Sequence, residues 1–280
     1  MGITVLLGLA SAVVWGLPDV ALARATRAVG VVPVVVGSLL IGLLVTSPVL
    51  LFAGGLPTIT LRAAAMLIGA GALTLLAYLI AFTAFQRGKV SVVAPIIACE
   101  GAVAAVIAIL LGEQLDQRVL MLLPVAIIGV VLAAMGGGGA GGANGAVRAA
   151  IAALIWGGVL LTAAPVADEV GVIWGFWLVR LAAFACALPI GLALRTATKG
   201  RRDWRNVVIW GVGDSVAYLL YVAAADRGPV AVAGVLAAQF ATVGVIAGMV
   251  FLKERPLPRQ WVGIVLVLLA VTGIAATGAG

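Results

Sequence analysis

Apolar residues fall in long unbroken runs along this chain, and the charged residues gather in the short gaps between them. The runs cover roughly 3–21, 29–53, 63–86, 90–111, 119–135, 147–167, 171–194, 206–225, 229–251 and 260–278. Each comes close to the ~20 residues that an α-helix needs to cross ~30 Å of hydrocarbon. Inside lipid every backbone N–H and C=O must be satisfied without water, so spanning segments are helices or strands of a closed barrel. The runs do not alternate apolar and polar positions, which is the barrel's signature. The pattern predicts an all-α membrane protein of ten transmembrane helices.

The pattern also repeats. Trp15-Gly16 sits in the first run and Trp156-Gly157 in the sixth. From Trp15 to Arg87 is 72 residues and from Trp156 to Arg227 is 71; from Arg87 to Glu113 is 26 and from Arg227 to Glu254 is 27. Tyr78 and Tyr218 each lie nine residues before their Arg-Gly. The chain therefore divides into a five-helix repeat over 1–137 and a second over 146–280. Between them the glycine-rich stretch 138–145 reads as a flexible linker by composition.

Five helices is an odd number, so the second repeat must enter the membrane inverted. Inverted repeats build many secondary transporters, with the site at the bilayer midplane between the halves. The charges agree. In the first half, Arg24, Arg27, Arg87 and Lys89 fall in loops 1–2 and 3–4, against Arg62 and Arg118 in the other two. In the second half the bias moves to loops 7–8 and 9–10, with Arg195, Lys199, Arg201, Arg202, Arg205, Lys253, Arg255 and Arg259 against Arg227 alone. The positive-inside rule then places the Arg-rich loops in the cytoplasm and both termini outside.

Composition narrows the chemistry. The chain is 64% hydrophobic and 10% charged, whereas a soluble domain carries about 25% charged residues. Its net charge of +7 flanks helices, so it marks topology and membrane lipid and no nucleic-acid partner. Histidine is absent, which removes the commonest metal ligand and general base. Cys99 and Cys186 fall inside apolar runs and read as small buried side chains. No metal or other cofactor is expected. The first run lacks a basic lead and flows into Pro18-Asp19, unlike a cleavable signal peptide. No G-x-x-x-x-G-K-[ST] loop is present, so ATP does not drive this chain.

The paired motifs resemble the EamA-type branch of the drug/metabolite transporter superfamily. They are Trp-Gly in helices 1 and 6, Arg-Gly after helices 3 and 8, an acid in helix 4, and the closing stretches Gly112-Glu113-Gln114-Leu115 and Lys253-Glu254-Arg255-Pro256. The resemblance covers nearly the whole chain. It implies a ten-helix carrier in the cell membrane, with a central cavity lined mainly by helices 1, 3, 4, 6, 8 and 9 and with helices 5 and 10 peripheral. It also implies cytoplasmic termini, against the charge pattern, so orientation stays open. The chain departs from the family pattern at Glu100, which is followed by Gly101 with Pro95 one turn earlier, and at Gln239, which replaces an acid in helix 9.

Glu100 lies near the middle of helix 4. An ionised carboxylate at the bilayer centre costs roughly 2.5–3.5 kcal/mol on insertion scales, so it persists by facing a cavity, pairing or binding a proton. Glu100 either titrates or holds a cationic group of the substrate; the structural alternative is a neutral acid that fixes packing. Trp210, Asp214, Tyr218 and Tyr221 follow helical spacing and form one stripe on helix 8. Such a stripe can grip an amine or aromatic substrate, or Trp210 can belong to an interface belt. Thr74 and Tyr78 make the matching uncharged stripe on helix 3. Trp15 and Asp19 sit one turn apart on helix 1, where Asp19 either gates one mouth or forms a surface pair with Arg24. Trp156 is a cavity-wall residue by symmetry. Arg180 lies roughly 12–14 Å into helix 7 at 1.5 Å per residue, positioned to pair with Asp214 or Glu100 or to bind an anion. Trp174 and Trp177 read as belt residues, and Glu113, Asp116 and Glu254 as architectural.

These readings converge on a secondary transporter, monomeric or dimeric, working by alternating access. It is expected to export a small organic metabolite, amino-acid-like or cationic, in exchange for protons. Facilitated uniport or uptake is the nearest alternative. A membrane-embedded enzyme would need a catalytic set clustered at one interface, and the sequence offers no His, no Ser–base pair and no metal constellation.

Overall fold

A computed structural model describes residues 2–112, 117–134, 140–194, 204–228 and 230–277, and every regular element among them is helical. In order they are α1 (Gly2–Gly16), α2 (Asp19–Val29), α3 (Val31–Thr46, extended by a 3-10 turn, Ser47–Phe52), α4 (Leu61–Arg87), α5 (Val90–Ile97), α6 (Glu100–Leu110), α7 (Gln117–Ala134), α8 (Ala140–Val170), α9 (Val172–Ala193), α10 (Trp204–Asp226), α11 (Val230–Ala237), α12 (Phe240–Phe251) and α13 (Pro258–Thr277).

Among the described residues six spans are long and apolar enough to cross a membrane: Gly2–Val29, Val31–Phe52, Leu61–Arg87, Asn144–Val170, Val172–Ala193 and Trp204–Asp226. Four more are apolar but shorter: Val90–Ala104, Leu120–Ala133, Phe240–Phe251 and Pro258–Gly273. The fourth and ninth apolar runs are each interrupted, between α5 and α6 and between α11 and α12. Pro95 stands five residues before Glu100, and Gly234 five before Gln239. Proline removes a helical N–H and glycine weakens a helix by about 1 kcal/mol, so the two halves reach the same break by different residues.

The halves pack by exchanging neighbours. α4 lies against α8, where Arg62 faces Glu169 at one end, Tyr78 meets Trp156 midway, and Gly88 touches Gly145 at the other end. These pairs fix an antiparallel course. The span α1–α2 lies against α10 in the same sense, with Ser11 Oγ donating to the Ala217 carbonyl (2.8 Å) and Trp15 reaching Asp214. α7 and α13, which hold equivalent places in the two halves, also run antiparallel: Leu122 packs at Gly273, and Gln260 donates to the Ala133 carbonyl (3.2 Å).

Three expectations are corrected. The first apolar run, read as ending near residue 21, breaks at Pro18 and resumes as α2 through Val29. The missing N–H of Pro18 costs one helical bond, and Gly213 leaves room for the proline ring. Arg24 and Arg27 are consequently on α2 rather than in a loop. The glycine-rich stretch is helical from Ala140 onward, and Gly145 passes so near Gly88 that a Cβ there would meet the Gly88 backbone. Close packing with α4 thus overrides poor helix propensity. Glu113 and Asp116, and the residues 195–203 with Arg195, Lys199, Arg201 and Arg202, lie outside the described residues.

Candidate functional site

Four helices from the two halves bring one polar cluster together. Asp214 of α10 and Arg180 of α9 form a salt bridge with 2.5 Å between Arg180 Nη2 and Asp214 Oδ2, and their side chains are 13% and 6% exposed. Arg180 Nη1 donates to Ser215 Oγ at 2.8 Å. Trp15 of α1 donates its indole N–H to Asp214 Oδ1 at 3.0 Å. The Tyr78 hydroxyl of α4 lies 3.5 Å from Asp214 Oδ2 and 3.4 Å from Arg180 Nη2. A buried charge is tolerated when it is paired and hydrogen-bonded, and both members of this pair are.

Aromatic rings enclose the cluster. The Arg180 guanidinium sits 4.5 Å from the Phe176 ring centre, within cation–π range. Phe176 stacks on Tyr218, 3.5 Å between centroids and 6° between planes. Tyr78 meets Trp156 and Trp210 edge to face, at 5.1 and 5.8 Å. On α3, a Cβ at Gly42 would collide with the guanidinium, so this glycine makes the space for Arg180. A narrow crevice beside the pair is lined by Val35, Ser38, Leu39 and Trp210.

Of the partners open to Arg180, the structure therefore holds Asp214. The α10 stripe divides: Trp210 and Asp214 face Tyr78, Tyr218 backs Phe176, and Tyr221 is reached only through Tyr218, 6.4 Å between rings. Asp19 is not a surface residue. It is 7% exposed and stands beside Trp210, while Arg24 donates to the Phe251 carbonyl (3.1 Å). The kink at Pro18 turns Asp19 inward. Glu100 opens α6 one turn before Val103 and Ala104, which pack on Gly157 of α8, and it takes no part in the Arg180–Asp214 bonding. Gln239 donates to Thr272 Oγ1 of α13 at 3.0 Å and accepts from Thr242 at 3.2 Å. Trp177 is no simple belt residue, since it donates to Ser47 Oγ at 3.1 Å. Sequence reasoning missed Gly42, Phe176 and Ser215. Ser215 was readable as the neighbour of Asp214; Gly42 carried no local signal.

The EamA-like transporter family matches residues 2–135 and, a second time, residues 143–276. The chain belongs to the EamA-like transporter family. A solved structure described only as "Crystal structure of protein" aligns over 96% of this chain and 94% of its own length, with a TM-score of 0.65 at 19% identity, a likeness of fold. No curated protein matches the chain. As an EamA-like chain it is a multi-pass membrane protein from a family of transporters, which take small molecules as substrates.

One end of this EamA-like bundle is drawn shut. α5 crosses α12, with Ala94 at Gly244 and Val90 at Gly248. Glu254 accepts from the backbone N–H groups of Val90 and Ser91, both at 2.8 Å, and so caps the start of α5. A carboxylate at a helix N-terminus satisfies orphan donors and complements the helix dipole. Lys253, at φ 53°, holds the turn that delivers Glu254. Lys89 Nζ donates to the Arg255 carbonyl at 2.8 Å. Among the described residues α6 and α11, at the other end, share no comparable interface.

Proposed function

We propose that this EamA-like chain is a secondary carrier of ten transmembrane helices in two inverted five-helix repeats. It exports a small amino-acid-like or cationic metabolite across the cell membrane by alternating access, in exchange for protons. The antiparallel course of α7 and α13 supports inversion, since uninverted repeats would place them parallel. The described Arg24, Arg27, Lys89, Lys253 and Arg255 gather at the end where α5 crosses α12, which the positive-inside rule assigns to the cytoplasm. The bundle is then shut on the inside.

One observation carries the substrate reading: the Arg180–Asp214 pair is electrically neutral, ringed by aromatics, and built by α1, α4, α9 and α10 from both halves. A zwitterion matches it group for group, its carboxylate on the guanidinium and its ammonium on Asp214. The longer Tyr78 contacts are the bonds a substrate would exchange most cheaply. Protons are taken by a membrane-embedded carboxylate, and Glu100 and Asp19 form no ion pair among the described residues.

The test is purified protein in liposomes, screened against amino acids and aromatic amines with and without a pH gradient. At least one solute is expected to move, faster with the gradient, and to stop moving in the Arg180→Met/Asp214→Leu double variant. A folded protein that moves no member of the panel would sink the reading. Facilitated uniport is the second reading, because Asp214 is already engaged by Arg180 in a salt bridge; equal flux with and without the gradient would establish it.

A further inference from the structure

Two antiparallel helices here bring the same pair of side chains together in both directions. Trp15 of α1 gives its indole N–H to Asp214 of α10 at 3.0 Å, and Trp210 of α10 in turn stands beside Asp19 of α2. The two carboxylates then differ. Asp214 has Arg180 and Tyr78 as well; Asp19, 7% exposed, pairs with no cation among the described residues.

Its surroundings offer none. α3, α5, α11 and α12 contain no ionisable residue. α10 presents Asp214, a like charge, and α4 carries Tyr78 near the cluster, with Arg87 at its far end. On α2 itself, Arg24 is engaged by the Phe251 carbonyl and Arg27 by the carbonyls of Phe85, Gln86 and Gly88. A carboxylate inside a membrane protein persists by reaching water, pairing or binding a proton. Asp19 is buried and forms no ion pair among the described residues.

Its position is equally telling. Asp19 Oδ2 lies beside Gly244 of α12, where Ala94 of α5 also packs, so it stands at the crossing that shuts the basic end. Through Trp210 it also touches the rings around the Arg180 site. Glu100 opens α6 on the face that meets α8, whereas the crossing is made by α5.

We propose that Asp19 is the group that binds the coupling proton of this carrier, and that proton uptake there accompanies closure of α5 against α12. The proposal rests on the carrier reading of the Arg180 site. One proton is gained by the carboxylate as the crossing closes over it and returned to water as the crossing opens. Gly244, lacking a side chain, lets the helix close directly over the acid.

The test needs no substrate. In a Cys99→Ala/Cys186→Ala background, spin labels at Arg87→Cys and Phe251→Cys report the distance across the shut end in phospholipid vesicles. Wild-type protein is expected to pass from a short to a long distance as pH rises. Asp19→Asn is expected to stay short at every pH, and Glu100→Gln to titrate like wild type. An Asp19→Asn protein that titrates normally, a Glu100→Gln protein that does not titrate, or a pH-blind wild type would each overturn the proposal. Carriage is read separately by the liposome panel: failure there removes the transport reading and leaves the titration of the gate standing.

Discussion

The first and sixth spans start from the same motif and end as different machines. Gly16 and Gly157 do the same job: each admits a helix of the broken pair, Gly16 at Phe240 and Val243, Gly157 at Val103 and Ala104. The neighbouring tryptophans diverge. The Trp15 indole bonds Asp214, whereas the Trp156 ring only meets the edge of Tyr78, at 88°. Two residues past the glycine stands Pro18-Asp19 in the first span; Val159-Leu160 occupies that place in α8, which stays helical from Ala140 to Val170 although it carries Pro165 near its end. The repeated residues set where helices cross. The unrepeated ones supply hinge and charge.

The comparison breaks most visibly at Asp214, the acid reached by Trp15. Asp214→Asn leaves Arg180 buried without a counter-charge and should cost roughly 3–5 kcal/mol, seen as a large drop in the thermal midpoint in detergent. Arg180→Met/Asp214→Leu should recover most of that stability without recovering flux. If the single variant is as stable as wild type, the pair does not hold the bundle together. A second cut moves the hinge: Val159→Pro, placed in the middle of α8, should cost about 3 kcal/mol, while Pro18→Val should change stability little and remove gradient-driven flux. Equal tolerance of proline in both spans would mean they are mechanically alike. The smallest effect sharpens the contrast. Trp15→Phe loses a hydrogen bond to a charged group, about 1.5–3 kcal/mol, but Trp156→Phe keeps its edge contact and should cost under about 1 kcal/mol. Matching losses, measured by denaturant titration, would erase the distinction.

Much of this architecture is legible in sequence because lipid forces it. A run of about 20 apolar residues has few options, and the spacing of Trp-Gly, Arg-Gly and Glu carried the repeat. Arg180 was readable as a buried cation needing an acid, although not which acid, since that depends on how α9 and α10 meet across Gly42. The surface-pair alternative for Asp19 fails for a definite reason. Proline followed by an acid looks the same whether a helix ends or kinks, and the choice here lies with Gly213, almost 200 residues away. The described part of the linker, 140–145, departs from the expectation because glycine composition describes a free chain, and Gly145 is held against Gly88.

The kink at Pro18 makes α2 a short crank. Its outer end holds two helices by their carbonyl ends: Arg27 grips Phe85, Gln86 and Gly88 of the first half, and Arg24 grips Phe251 of the second. Eleven residues at 1.5 Å each give an arm of about 16 Å, so a swing of about 10° at the proline carries the grip about 3 Å. That travel exceeds the tolerance of a hydrogen bond. One small rotation in the first span would therefore release or reseat both halves together.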